Sequence, residues 1–200
     1  GVATFAATDS NATLDYRIVH LDCGRKYFSV DNIKNLIDAM HTAGYNQLEL
    51  AIGNAGLRFL LDDMSISFTV NGEKITYDND TMVANIKAGN KVQNNSNDDS
   101  CLTETDMKLI IAYANARGIE VVPLLNMPGH MNAVLNAFSD YRISGKNKNY
   151  KTTQSSSTLN LASDEAKAFG LALLQKYVDF FKGRVSYFNF GADEVANDIV

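Results

Sequence analysis

The chain has no tryptophan, two cysteines and two prolines in 200 residues. Cys23 and Cys101 lack the local spacing of a metal site, and they read as a buried and a surface free thiol that say little about redox compartment. No run approaches the roughly 18 apolar residues of a membrane-spanning helix, which excludes a transmembrane segment from this sequence. The amino end lacks the basic-then-apolar order of a signal peptide, as expected of a mature or excised segment. No basic run is concentrated anywhere, and 18 basic against 23 acidic residues give a charge of -5. That balance argues against nucleic acid as a partner, because a phosphate backbone needs a focused positive surface. The missing tryptophan excludes nothing by itself and returns below.

What is present is a globular composition, 46% hydrophobic and 20% charged, arranged as alternating strand and helix. TLDYRIVHLDCG reads as a strand running into a turn at Gly24. Ser29 then caps a helix with apolar Ile33, Leu36, Ile37 and Met40. NQLELAI is a second strand. Residues 58–100 break the rhythm as an insertion: SISFTVNGEKITY carries a hairpin signal at Asn71-Gly72, and NKVQNNSNDDS reads as an exposed polar excursion. Thr103 opens the next helix, with Met107, Ile110, Ile111 and Ala114 on one face. IEVVPLLN is a third strand whose proline must leave an amide unpaired or displaced. After a polar loop including GKNKNYKTTQSSST, residues 163–181 form a helix with an apolar face at Ala168, Leu171, Leu174, Val178 and Phe181. RVSYFNF supplies a fourth strand.

This order predicts an α/β domain with parallel central strands, because each helix returns the chain to the same strand-starting side. Features following Leu21, Ile52, Leu125 and Phe190 then gather at one rim, where α/β folds place their chemistry. Periodicity leaves open whether four strands make a small open sheet or half of an eight-stranded barrel.

The rim contains an acidic pair, Asp193-Glu194, in FNFGADEV. Adjacent strand residues point to opposite sides, so both acids address one substrate only where the strand has ended or bent. Gly191 and Ala192 permit such a bend. The pair alone fits a solvated loop, metal ligands or catalytic carboxylates. A metal needs further ligands of matching hardness, and no compact motif joins the pair to His130 or Asp22. A catalytic pair needs a protonated glutamate donating to a leaving oxygen beside an ionised aspartate.

FNFGADEV resembles the acid-pair motif of glycoside hydrolase family 20, the β-N-acetylhexosaminidases. VVPLLNMPGHMNAVL is similar to that family's Pro-Gly-His motif, and HLDCGRKYFS to the first-strand region with its sugar-binding arginine. With GNAGLRFLLDDMSI and YVDFF, the set most resembles exo-β-N-acetylglucosaminidase modules of bacterial surface proteins. The resemblance covers nearly all of the chain but only the amino-terminal half of a family barrel. It implies a partial TIM (β/α)8 barrel of about four strands, with residues 1–200 as part of one catalytic domain and residues 58–100 as an insertion after strand 2.

The resemblance further implies Glu194 as general acid/base and Asp193 as orienter of the substrate's 2-acetamido group. That group's carbonyl oxygen attacks C1, giving an oxazolinium that water opens with retention. Arg25, Asn54 and His130 would bind substrate, with Asp22, Asn126 and Asn189 in support. No metal or cofactor is implied. The partners would be N-acetylglucosamine-terminated glycans, and the location extracellular or cell-surface attached. Three departures bear on the supporting hydrogen bonds. Asn189 stands where the family motif starts with His, Ala192 where it has Gly, and Leu124 and Asn126 where many members have acids. The pocket aromatics, tryptophans among them, come from the later half of the family barrel, so low activity is expected of these 200 residues alone. The alternative is a barrel fragment that binds carbohydrate without turnover, or that self-associates through exposed barrel edges.

Overall fold

The computed structural model describes residues 13–195. β1 (Ile18–Asp22) leads into α1 (Val30–Thr42), where the Ser29 side chain accepts from the Asn32 amide in a capping box and Ile33, Ile37 and Met40 are buried. β2 (Gln47–Asn54) lies parallel to β1, with His20 opposite Glu49. The two-residue β3 (Gly56–Leu57) turns back antiparallel on the end of β2.

Within residues 58–100, β4 (Ile66–Val70) and β5 (Glu73–Tyr77) form the expected hairpin. Asn71 and Gly72 occupy its turn at φ 52° and 83°, the left-handed pair that matches strand twist. The polar excursion is a correction. Much of it is the end of a 16-residue helix, α2 (Asn79–Asn94), capped by Asp78 and buried through Met82, Ile86, Gly89 and Asn90. Its buried stripe is thin and ends in a polar residue, so hydrophobic periodicity gives little signal. Asn90 is fully buried because its carboxamide both donates to and accepts from the backbone of Leu57, at 2.9 Å each way. Arg58, 1% exposed, donates to the Ser100 and Asp98 carbonyls at 2.9 and 3.3 Å. With the Asp98 carboxylate 3.5 Å from Nη1, these bonds partner most of a buried charge, leaving Nε without an acceptor, and fasten the far end of the segment.

α3 (Glu104–Asn115) starts at a Thr103–Asp106 capping box and buries Met107, Ile110, Ile111 and Ala114, as the spacing predicts. β6 (Glu120–Leu125) pairs with the other side of β2, also parallel. A short α4 (Asn132–Leu135) follows. The loop expected over GKNKNYKTTQSSST is instead an antiparallel hairpin, β7 (Arg142–Lys146) and β8 (Thr152–Leu159). Its hydroxyl-rich strand is held by ladder bonds and by β8 backbone contacts to Met131 and Pro128 rather than by an apolar pattern.

α5 (Asp164–Phe181) begins at the Ser163 cap, but its buried face shares only Phe181 with the expected one. Ala166, Phe169, Leu173, Tyr177, Phe180 and Phe181 are buried, while Leu171 is 66% exposed. Apolar residues surround most of this helix, so its partners select the face. Phe169 packs among Phe68, Tyr77, Phe138 and Tyr141, and Phe59 against Tyr177, Phe180 and Phe181.

The fourth strand is also corrected. Its segment runs parallel to β6 but forms a single bridge with it, Leu124 to Asn189, rather than a regular strand. The Leu125 amide donates to the Asn189 carbonyl and the Asn189 amide to the Pro123 carbonyl, both at 2.9 Å. Alternation by two residues aims the Pro123 nitrogen at this same edge, where it has no hydrogen to give. One rung is therefore missing, as the proline's sequence context predicts. The sheet order is β1-β2-β6, with this segment beyond β6.

Candidate active site

Each parallel strand ends by delivering a polar side chain to one rim. Asp22 closes β1, Asn54 closes β2, Asn126 follows β6, and Asp193 and Glu194 follow the bridge at Asn189. Asp22 organises the first corner. Its Oδ1 accepts from the Gly24 and Arg25 amides at 3.0 Å, and its Oδ2 accepts from Arg25 Nη1 at 2.8 Å and Asn54 Nδ2 at 2.9 Å. Arg25 is thus paired with Asp22, yet its side chain is 48% exposed and keeps donors free to face a ligand. Asn126 Nδ2 reaches Asn54 Oδ1 at 3.4 Å and also donates to Asp193. A chain of polar contacts therefore runs from Arg25 through Asp22, Asn54 and Asn126 to Asp193.

His130 closes this chain into a ring. Its φ of 53° is left-handed, and its carbonyl accepts from the Ala55 amide at 2.7 Å. Nδ1 lies 3.4 Å from Arg25 Nη2, while Nε2 lies 3.0 Å from Glu194 Oε2 and 3.9 Å from Asp193 Oδ1. A guanidinium can only donate, so the neutral ring accepts at Nδ1 and carries its proton on Nε2, directed at Glu194. The imidazole is 14% exposed, whereas the Asp193 and Glu194 side chains are 66% and 60% exposed. A shielded histidine supports two acids that remain open to a ligand.

The turn carrying the acids is the bend that the sequence requires. Gly191, Ala192 and Glu194 have φ of 68°, 76° and 48°, and for the non-glycine residues that conformation costs about 1 kcal/mol or more each. The surroundings hold it. Asn126 Oδ1 accepts from the Ala192 amide at 3.1 Å, and Asn189 Oδ1 from the Gly191 amide at 2.8 Å. A side chain at Gly191 would collide with Asn126, and a Cβ at Gly129 would stand 2.8 Å from the Asp193 carbonyl oxygen. Glycine is therefore required where the Pro-Gly-His loop meets the acid turn. The Asn126 hydrogen bond holds the Asp193 carboxyl below the ordinary aspartate range, against the upward pull of burial and with help from the Arg25 charge and from His130 when its ring is protonated.

All eight candidate residues thus gather at one rim. Two others escape sequence reasoning. Glu49 and His20 face each other on the inner side of the sheet at 2.8 Å, and Glu49 also accepts from Asn189 Nδ2 at 2.9 Å. Only the alternation of NQLELAI, with Gln47 and Glu49 set between leucines, hints at a polar inner face. Among the described residues no group of three or more histidine, cysteine and acidic side chains could hold a metal ion, and no helix is long and apolar enough to cross a membrane.

The sequence model for the catalytic domain of glycosyl hydrolase family 20 matches residues 14–199. The chain belongs to this family. A β-hexosaminidase of Vibrio vulnificus is 30% identical over 126 residues, which are 61% of this chain and 14% of that protein. A lacto-N-biosidase of Bifidobacterium bifidum is 32% identical over 95 residues, 48% of this chain and 8% of that protein. A structure from work on the tandem family 20 modules of the pneumococcal exo-β-D-N-acetylglucosaminidase StrH matches with a TM-score of 0.81 at 37% identity. That match covers 92% of this chain and 43% of the other, so this chain spans less than half the length of each of these relatives. An N-acetyl-β-hexosaminidase of Streptomyces plicatus shares the fold at a TM-score of 0.65 and 24% identity. The sheet and its helices accordingly form part of the α/β barrel of this family.

Proposed function

We propose that this chain supplies the acid-pair half of a retaining, substrate-assisted exo-β-N-acetylhexosaminidase that removes terminal β-linked N-acetylglucosamine from glycans. The observation that carries the proposal is His130, wedged between Arg25 and Glu194 with its Nε2 3.0 Å from the glutamate Oε2. In this mechanism Glu194 protonates the leaving oxygen and later takes a proton from the attacking water. Asp193, fixed by Asn126, receives the acetamide N–H and turns the acetamide oxygen toward C1. Attack by that oxygen makes a carboxylate nucleophile unnecessary, so an acid and an adjacent orienting carboxylate suffice. Arg25, held by Asp22, grips hydroxyls of the terminal sugar and favours exo action. Asn54 and Asn126 keep the arginine and the acid pair in fixed relation, which lowers the barrier through orientation. The StrH likeness supports an extracellular or surface-attached enzyme acting on complex glycans.

The test is release of a chromogenic aglycone from a β-N-acetylglucosaminide by a polypeptide carrying the complete catalytic domain, with this 200-residue chain in parallel. Glu194→Gln is expected to remove about 10² or more of kcat. Unchanged turnover sinks the assignment, and glycan binding without hydrolysis in the complete domain favours a binding module. Tyr16, Ile18 and Tyr187, each more than half exposed, come together on the sheet's open inner face beside Glu49 and Val122. They support a second reading in which the isolated chain self-associates there. A concentration-independent monomer mass in dilute solution would count against that reading.

A further inference from the structure

We infer that Glu49, on the inner face of β2 and outside the acid pair and its rim contacts, is a positioning residue that fixes the acid turn by setting the orientation of the Asn189 carboxamide. Asn189 is pinned by its backbone, which both donates to and accepts from β6. Its side chain then spans two partners, Glu49 Oε2 at 2.9 Å and the Gly191 amide at 2.8 Å. A carboxamide can present either its oxygen or its NH2 to a neighbour, and only one orientation suits the Gly191 N–H. The Glu49 carboxylate offers acceptors alone, so it draws Nδ2 to itself and turns Oδ1 toward Gly191. His20 Nδ1, at 2.8 Å from Oε1, occupies the other oxygen and holds the carboxylate in place. The reverse orientation would set NH2 against N–H at Gly191 and leave a carboxylate facing a carbonyl oxygen. Gly191 is the first of three left-handed residues in the turn, followed by Ala192 and Glu194, so the carboxylate inside the sheet selects the geometry of the acids at the rim. Its use in catalysis rests on the function proposed above, whereas the hydrogen-bond lock does not.

A polarity swap tests this. In Glu49→Gln the new carboxamide no longer dictates which end of Asn189 faces it, and in Asn189→Asp two carboxylates face each other. The double variant restores a matched pair of bonds by placing one acceptor between two donors, because the glutamine NH2 donates to the aspartate and the other aspartate oxygen accepts from Gly191. The Gly191 amide solvent-exchange rate, read by NMR on the 200-residue chain, should rise about tenfold or more in each single variant and return to within about threefold in the double. The Leu50 amide of β2 serves as the control for an intact sheet. An unchanged Gly191 rate in Glu49→Gln, or a double variant no better than the singles, overturns the inference. If Glu49→Gln loses Leu50 protection, Asn189→Leu replaces it, since leucine cannot hold the Gly191 N–H in any orientation. An unchanged Gly191 rate in that variant also overturns the lock. In the complete domain, Glu49→Gln should lower kcat about tenfold with KM within about twofold, and the double variant should recover it. Undiminished kcat alongside faster exchange retains the lock but refutes its catalytic use. Absence of turnover in the unsubstituted domain refutes the proposed function and leaves the exchange result to decide the lock.

Discussion

The two faces of the β1-β2-β6 sheet are built on opposite terms. On the outer face Leu48, Leu50 and Ile52 are fully buried, and Val121 and Leu125 nearly so. They pack in one core with the inward faces of α1, α3 and α5. On the inner face the same strands present His20 and Glu49, hydrogen-bonded to each other and through Glu49 to Asn189, and beside them the hydrogen-bonded pair Gln47 and Glu120. Ile18 there is 53% exposed. Apolar packing has no preferred direction, so the outer face supplies stability without dictating the angle of any rim group. Hydrogen bonds are weak in net energy but directional, so the inner face does the reverse.

The comparison breaks most visibly under core truncation. Leu50→Ala should cost about 2–5 kcal/mol in denaturant melts, and a cost near zero would mean that the outer face is not what holds the sheet. Glu120→Gln is the inner-face counterpart. Glu120 is 5% exposed, its Oε2 accepts from Gln47 at 3.1 Å, and its Oε1 is buried with no partner. Exchanging that carboxylate for an amide should raise stability by about 1 kcal/mol. A fall instead would show that the acid has a partner in solution.

A smaller effect separates the rim from both faces. Asp193 is held below the ordinary aspartate range by Asn126. A depressed carboxyl contributes stability above the unfolded-state value of about 3.9, and that contribution is lost as pH falls through the folded value. Asn126→Ser should move the Asp193 titration upward in an NMR pH series, and an unmoved titration would assign the depression elsewhere. The smallest effect concerns the thiols. Burial pushes Cys23 up to about 12, with the Asp22 charge adding to it, and Cys101 up to about 11. Both stay protonated at pH 8, and because folding raises their pKa values, this source costs stability as pH rises past about 8.5. Alkylation at pH 8 should be slow for both in the native chain and fast in denaturant.

Local features carried much of the fold into view. Ser29, Thr103 and Ser163 cap helices because a side-chain oxygen beside an amide three residues on is a short-range contact. Asn71-Gly72 makes its turn for an equally local reason, and Pro123 removes a rung wherever its strand is placed. The misses share a different cause. The buried face of α5 depended on which aromatics came to meet it, α2 was held by Asn90 gripping Leu57, and β7-β8 lacked an apolar alternation. In each case the deciding partner lay outside the window that periodicity can read.

The eight rim residues were legible because they stand in short motifs that resemble a known family. Their connections were not, since the Arg25, Asp22, Asn54, Asn126 and His130 contacts join four strand ends. The sequence by itself therefore determined the strand–helix alternation, the caps and the hairpin turn, all set by chemistry within a few residues. Only the tertiary structure decided that His130 faces both Arg25 and Glu194, and that Glu49 reaches Asn189 from 140 positions away. Hydrogen bonds act over about 3 Å in space, and separation along the chain does not reveal which groups the sheet brings that close.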